Sequence, residues 1–155
     1  MPKRKLYFDP VSPLISEDRF HKFDWEYFYR DSKEGISHDI PKPRGKIMNT
    51  HCFVDTNNAA DKVTRRSQTG ILIFCNRAPI LWFSRRQNSV ELSTFGSEFT
   101  TLKNAVELGT ALRYMSRMFG VPIDGPTDMF CDNEDVYNNS STLESVLRNI
   151  HHSDA

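Results

Sequence analysis

The chain has 155 residues, the usual size of one domain and too few for two well-stabilised ones. Lysine and arginine (20 together) balance aspartate and glutamate (20 together), so the net charge indicates neither a nucleic acid nor a membrane partner. A neutral total can still hide separate basic and acidic faces. Composition therefore excludes only the strongly charged classes of protein.

No apolar stretch reaches the roughly 18 to 20 residues of a membrane span, and the basic start Met1–Lys5 is not followed by the apolar region of a secretory signal. We therefore expect a soluble intracellular protein, cytoplasmic or nuclear, with no membrane partner. Cys52, Cys75 and Cys131 each lie in an apolar run, and neither their odd number nor their spacing indicates a disulfide framework or a zinc site. They are interpreted as small buried side chains in a reducing compartment.

Residues 1–49 differ from the rest and are interpreted as an arm and linker. They hold five of the eight prolines and show no sustained helical or alternating period. The segment Pro41–Gly45 disfavours helix and predicts an extended linker into the first strand. The arm also contains an aromatic cluster, interpreted as a patch that packs against the domain or a partner domain: Phe20, Phe23, Trp25, Tyr27, Phe28 and Tyr29.

Three strands are predicted after the linker. His51–Asp55 is a short apolar run that closes on an acid, and Gly70–Cys75 is rich in β-branched and aromatic residues. Residues 76–79 predict a hairpin connection into a third strand, Ile80–Ser84. These elements predict an antiparallel meander, with Trp82 in the core.

A long helix, a short strand and a second helix follow. Ser93 or Thr94 can cap the first helix, whose apolar residues recur at three- and four-residue spacing up to Gly120. After a turn-rich break, Met129–Cys131 predicts a buried strand, and Asp132-Asn133 can cap a short helix over 134–138. Because a helical crossover tends to place strands parallel, the Met129 strand is expected beside the Phe53 strand, which brings Asp55 near Asp132.

Asp55, Glu98 and Asp132 are the candidate catalytic and metal-binding residues. Magnesium prefers hard oxygen ligands, and two such ions roughly 3.5 to 4 Å apart can activate water and stabilise a leaving oxygen in phosphoryl transfer. Each acid also has a structural alternative. Asp132 could cap the second helix, Glu98 could complement the positive end of its helix, and Asp55 could begin the loop after its strand.

Two arginine pairs flank the predicted strands and are candidate contacts to a nucleic-acid backbone: Arg65, Arg66, Arg85 and Arg86. Solvated loop charge is an equally good interpretation of such pairs. The histidines are left out of the site, because His151 and His152 lie in a polar terminus and a lone strand histidine such as His51 is more often structural.

Five motifs in order resemble the RNase H domain of copia-type LTR retrotransposon polyproteins, over roughly Thr50 to Asn139. That family shows Y-S-D-A-D-W-A-G, R-K-S-T-S-G, A-P-I-S-W-x-S-K-K-Q, S-S-T-E-A-E-Y and a C-D-N strand end. The corresponding segments here are 51–60, 65–70, 78–87, 93–99 and Cys131-Asp132-Asn133. Asn57, Ala60 and Phe95-Gly96-Ser97 depart from the family pattern.

The resemblance implies an RNase H-like α/β fold over residues 50–155, with a mixed sheet of three antiparallel strands and one parallel strand. It also implies cleavage of the RNA strand of RNA/DNA hybrids, dependent on two Mg²⁺ ions (or Mn²⁺) held by Asp55, Glu98 and Asp132. The partners would be the hybrid and the reverse transcriptase domain of the same polyprotein. Residues 1–49 would be the connection that follows this reverse transcriptase domain. The family's next strand and fourth acid have no counterpart before Ala155, so the resemblance implies a C-terminally incomplete domain, and whether this fragment is active by itself stays open.

Two other functions stay open at this stage. One is another nuclease or integrase of the same broad fold, which would cut DNA instead of the RNA of a hybrid. The other is a non-catalytic or domesticated retroelement remnant that binds nucleic acid or packs against a reverse transcriptase.

Overall fold

The structure is a computed structural model that describes residues 34–123 and 125–141. The aromatic cluster predicted in the arm, and the terminal histidines, lie outside these residues. The described elements are four strands and two helices: β1 (Thr50–Asn57), β2 (Gln68–Cys75), β3 (Ala78–Arg86), α1 (Thr94–Met118), β4 (Asp128–Phe130) and α2 (Glu134–Ser141). Neither helix in the described part of the chain is long and apolar enough to cross a membrane.

The four strands form one mixed sheet in the order β3-β2-β1-β4. β1, β2 and β3 pair antiparallel to one another, whereas β4 runs parallel to β1 with Phe53 opposite Phe130. The helical crossover between β1 and β4 explains the parallel pairing. The predicted RNase H-like α/β architecture, including the position of the parallel strand, is confirmed.

One face of the sheet carries the core, and α1 packs on that face. Alternate residues of β1 and β2 are buried there together with a small residue of the helix: Cys52, Val54, Ile71, Ile73 and Ala105. Apolar residues of β3, α1 and β4 surround this cluster. Because strand side chains alternate between faces, every second residue of β1 and β2 points away from α1.

Two sequence predictions about β3 are wrong. Ala78 and Pro79 belong to the strand, which leaves Asn76-Arg77 as a two-residue turn, with Asn76 in the left-handed region that asparagine tolerates (φ 51°). Proline is accommodated because β3 is an edge strand of the described sheet. Trp82 is 68% exposed and lies outside the core, because Leu81 and Phe83 take the positions that face it.

Local signals set both ends of α1. The Ser93 side chain accepts a hydrogen bond from the Gly96 N–H (3.1 Å), so Ser93 is the N-cap. At the other end Gly120 has a φ of 71°, its N–H donates to the Arg117 carbonyl (2.8 Å), and the Val121 N–H donates to the Ser116 carbonyl (2.9 Å). This pair of bonds is the Schellman arrangement that ends helices at a glycine.

The described part of the linker is fastened to the C-terminal half of α1 by one carboxylate. Glu34 accepts hydrogen bonds from both Arg117 and Arg113, the latter at 2.8 Å. The hydrogen bond from Arg117, followed by that from Arg113, lowers the pKa of Glu34 from its usual 4.5 to about 2. Further along the linker, the Met48 N–H donates to the Pro122 carbonyl (2.8 Å).

We expect the free energy of unfolding to decrease less at acidic pH in Glu34→Gln than in the unaltered protein. A carboxyl whose pKa is lowered on folding contributes stability above its unfolded pKa, and this is lost as the pH falls from about 4.5 to about 2. Because one third of the Glu34 side chain is exposed, we expect a contribution on the order of 1 kcal/mol. Urea unfolding at pH 7 and pH 3 measures it. Glu107→Gln, which changes an exposed surface pair, is the control. An equal loss of stability between pH 7 and pH 3 in both variants would contradict a special contribution of Glu34.

Candidate metal centre and nucleic-acid interface

The predicted site residues lie at one end of the sheet. β1 ends at Asn57, which pairs with Gln68 at the start of β2, and Gln68 in turn pairs with Arg86 at the end of β3. β4 runs parallel to β1, so the residues that follow Phe130 emerge at this same end. The directions of the strands therefore bring Asp55, Asp132 and both arginine pairs to the same end of the sheet.

Glu98 is brought to this edge by the first turns of α1. The helix buries Ser97, Glu98, Thr101 and Ala105 against the sheet, at helical spacing. Only 8% of the Glu98 surface is exposed. A carboxylate is rarely so buried without a compensating partner, so its surroundings are informative about function.

Glu98 meets Cys131 and Asp132 at the end of β4. One ligand atom from each residue lies within 4.8 Å of the other two. The Cys131 thiol donates a weak hydrogen bond to Glu98 Oε2, with 3.6 Å between sulfur and oxygen. Burial, aided by the neighbouring carboxylates of Glu98 and Asp132, raises the pKa of that thiol. Two of the three predicted acids are thus brought together.

Asp55 does not belong to this group. It is exposed on β1, where its neighbours Val54 and Thr56 are buried against α1. Asp55 lies two residues beyond Phe53, as Asp132 lies two residues beyond Phe130, so the two acids follow paired positions of parallel strands. Among the described residues, the only group of three or more metal-ligating side chains is the one formed by Glu98, Cys131 and Asp132.

Cys131 is the residue that sequence reasoning missed. It was interpreted as a small buried side chain, which holds for Cys52 and Cys75, whereas Cys131 is only half buried. Met129 and Cys131 pack against the core on the α1 side of the sheet. One feature of the sequence could have indicated this. Cys131 directly precedes Asp132 and lies two residues after Met129, so it is expected on the same face as Met129.

The donor set fits a divalent cation. Carboxylate oxygens are the ligands that Mg²⁺ and Mn²⁺ prefer, and Glu98 and Asp132 supply them. A thiolate is a softer ligand, which favours Zn²⁺ or Cd²⁺ over Mg²⁺. The cluster can therefore hold a hard ion through its two carboxylates and a thiophilic ion through all three side chains.

We expect Cd²⁺ to bind at Cys131 with ultraviolet sulfur-to-cadmium charge-transfer absorption. Binding requires loss of the thiol proton, so it should strengthen as the pH rises toward the raised pKa of Cys131. Titration of the reduced protein should lose this signal in Cys131→Ala and keep it in Cys75→Ala, since Cys75 is buried outside the cluster. Equal absorption in both variants would show that Cd²⁺ binds elsewhere.

The four arginines lie around the loop before β2 and the end of β3. Arg86 donates to Asp61 Oδ2 (2.8 Å), and Asp61 also accepts hydrogen bonds from Val63 and Thr64. The bond from the Thr64 hydroxyl is the largest of several that hold the pKa of Asp61 well below its usual range. The Asp61 carboxylate therefore stays charged and fixes one arginine in place.

The other three arginines are placed differently. Arg65 and Arg85 are exposed and Arg66 is half buried. Arg65 adopts a left-handed conformation (φ 59°), and its N–H donates to the Asp61 carbonyl (2.7 Å). The loop is thus folded on itself and presents basic side chains beside the acidic edge.

This chain is similar to two curated polyproteins of Arabidopsis thaliana. It is 25% identical over 97 residues to the retrovirus-related Pol polyprotein from transposon RE1, and 26% identical over 97 residues to that from transposon RE2. The matches cover 63% and 62% of this chain but only 7% of each polyprotein. No family model matches, and no solved structure matches. The similarity supports an origin in a retrotransposon polyprotein.

Proposed function

We propose that this chain is a retroelement ribonuclease H domain that hydrolyses the RNA strand of RNA/DNA hybrids with a divalent metal. The observation that carries the proposal is that Glu98 and Asp132 come together at the end of the sheet toward which β1 runs, with Asp55 two residues before the last residue of that strand, Asn57. The similarity to retrotransposon Pol polyproteins supports it. A reverse transcriptase from the same polyprotein would be the partner.

The acidic residues have separate tasks in this proposal. Glu98 is fixed by burial and offers one oriented carboxylate, whereas Asp132 and Asp55 are exposed and can reach toward a phosphate or an ion from the solvent side. Mg²⁺ ions bound here would supply an activated water and stabilise the leaving 3′ oxygen. The side chains hold this centre at the end of a rigid sheet, which favours accurate placement.

The arginines would bind the nucleic-acid backbone beside the acids. Arg65 and Arg85 are exposed at the sheet end that carries the acids, and Arg66 and Arg86 flank them. Such contacts position a duplex without reading its sequence. They also make binding depend on salt, because each phosphate that a cation neutralises releases a counterion.

A non-catalytic role in nucleic-acid binding is the second candidate. The observation in its favour is that Asp55 stands outside the group formed by Glu98, Cys131 and Asp132. A domain with two clustered acids could bind a metal and a duplex and yet place no water for attack. Under this alternative the arginines would still bind nucleic acid.

Cleavage of matched substrates separates these functions. The full chain is incubated with Mg²⁺ and an RNA/DNA hybrid, duplex DNA, duplex RNA or single-stranded RNA of one sequence. The ribonuclease H proposal requires loss of the RNA strand of the hybrid alone, abolished by Asp55→Asn. Cleavage of DNA would favour another nuclease of this fold, and binding without cleavage would favour the non-catalytic role. Cleavage unchanged by Asp55→Asn would indicate a contaminating enzyme or a different site.

A further inference from the structure

A buried polar network lies between the start of α1 and strands β1 and β2. Its centre is Gln87, the residue that follows β3, which is 5% exposed. The Gln87 Nε2 lies 2.8 Å from the Ser97 carbonyl oxygen and 3.1 Å from both Thr69 Oγ1 and Thr101 Oγ1. Its backbone N–H donates to the Ser67 carbonyl (2.8 Å). One side chain thus joins β2 to the first turns of α1.

The network continues to β1. Thr101 Oγ1 lies 2.6 Å from Thr56 Oγ1 and 3.0 Å from Thr69 Oγ1. Thr56 directly follows Asp55, and the carbonyl that accepts from Gln87 belongs to Ser97, which directly precedes Glu98. The hydrogen-bonded chain therefore runs from the residue beside one predicted ligand to the residue beside the other.

The orientation of the Gln87 amide follows from these partners. A carbonyl oxygen only accepts hydrogen bonds, so the Ser97 carbonyl requires the Nε2 end of the amide. The buried Oε1 is then without a hydrogen-bond partner among the described residues. An unsatisfied buried acceptor costs free energy of folding. The contacts of Nε2 thus fix the orientation of the amide toward the start of α1.

We propose that Gln87 is the positioning residue of the metal centre, and this inference rests on the proposed function. It holds the start of α1 against β1 and β2, which keeps the Glu98 carboxylate at Cys131 and Asp132. Removing a residue that orients a metal ligand through hydrogen bonds typically weakens metal binding about 10- to 100-fold. The side chain itself touches neither metal nor substrate.

The test compares Gln87→Met with Gln68→Met. Both variants replace glutamine by an apolar side chain of similar length, but the Gln68 side chain donates to Ser84 Oγ (2.8 Å) in an exposed pair, on the face of β2 opposite to that of Thr69. Two measurements are made on folded protein: Mg²⁺ affinity by calorimetric titration, and the nuclear Overhauser effect between Glu98 and Cys131 side-chain protons without metal. We expect Gln87→Met to weaken Mg²⁺ about 10-fold or more and to lose that contact, and Gln68→Met to change neither.

Each outcome decides a different question. A lower melting temperature of Gln87→Met, with both measurements unchanged, would overturn the positioning role and leave a purely structural one. If the unaltered protein binds no Mg²⁺, the proposed function fails, but the contact measurement still supports or overturns Gln87 as the residue that places Glu98. Should Gln87→Met not fold, Gln87→Asn keeps the amide, shortens its reach by one methylene and is read by the same two measurements.

Discussion

Glu98→Gln is expected to abolish Mg²⁺-dependent cleavage of the hybrid, with a rate loss on the order of 100-fold or more. Glutamine keeps the shape of the side chain and removes the negative charge that a cation would need. Glu98 is 8% exposed and shares a cluster of ligand atoms with Cys131 and Asp132. The loss should appear in cleavage rate and in the heat of Mg²⁺ binding.

The same substitution should leave the metal-free protein at least as stable. A buried carboxylate whose described hydrogen bond comes from a weak thiol donor costs free energy of folding, and a neutral amide reduces that cost. Lower metal affinity together with undiminished stability to urea would identify a residue kept for function at the expense of stability. A residue that only supports the fold would lose stability instead.

Glu107→Gln is the matched control for this prediction. Glu107 lies on the same helix, is exposed, and forms a surface pair with Lys103 at 3.9 Å. Its loss should change stability by less than about 1 kcal/mol and leave cleavage unchanged. Equal loss of activity in the Glu98 and Glu107 variants would contradict a metal centre at Glu98.

Backbone patterns predicted the order and direction of the strands that carry the candidate site. Apolar β-branched runs located β1 and β2, and the helical crossover predicted that β4 lies parallel to β1, so Asp55 and Asp132 were expected to end adjacent strands. Ser93 or Thr94 was expected to cap α1 with Glu98 in its first turn; Ser93 is the cap, and Glu98 lies one turn later. Each of these inferences rests on local sequence or on chain connectivity, which a single sequence contains.

Side-chain direction and long-range polar contacts were not predictable in the same way. Ile80, Leu81, Trp82 and Phe83 are all apolar, so the pattern could not tell which pair faces the core. β4 has only three residues, which is too short for alternation to reveal that Cys131 points toward Glu98. The network at Gln87 joins three elements far apart in the chain, and no spacing rule relates them.

Ile73→Ala is expected to give a large loss of stability, about 2 to 5 kcal/mol. Ile73 is fully buried in the centre of β2, which lies between β1 and β3, and it packs in the cluster with Cys52, Val54 and Ala105. Truncation removes apolar contacts and leaves a cavity that sheet and helix cannot close without disturbing strand pairing. Urea unfolding of both proteins at pH 7 measures the difference.

Leu72→Ala is the control, because Leu72 is the adjacent residue of the same strand but faces away from α1. Leu72 is only partly buried and pairs across the sheet with Phe53 and Trp82. Its truncation should cost clearly less, since less apolar surface leaves the interior and no closed cavity forms. Equal losses of unfolding free energy in the two variants would mean that the sheet face opposite α1 is packed as tightly as the core. A second layer of apolar side chains would then cover that face.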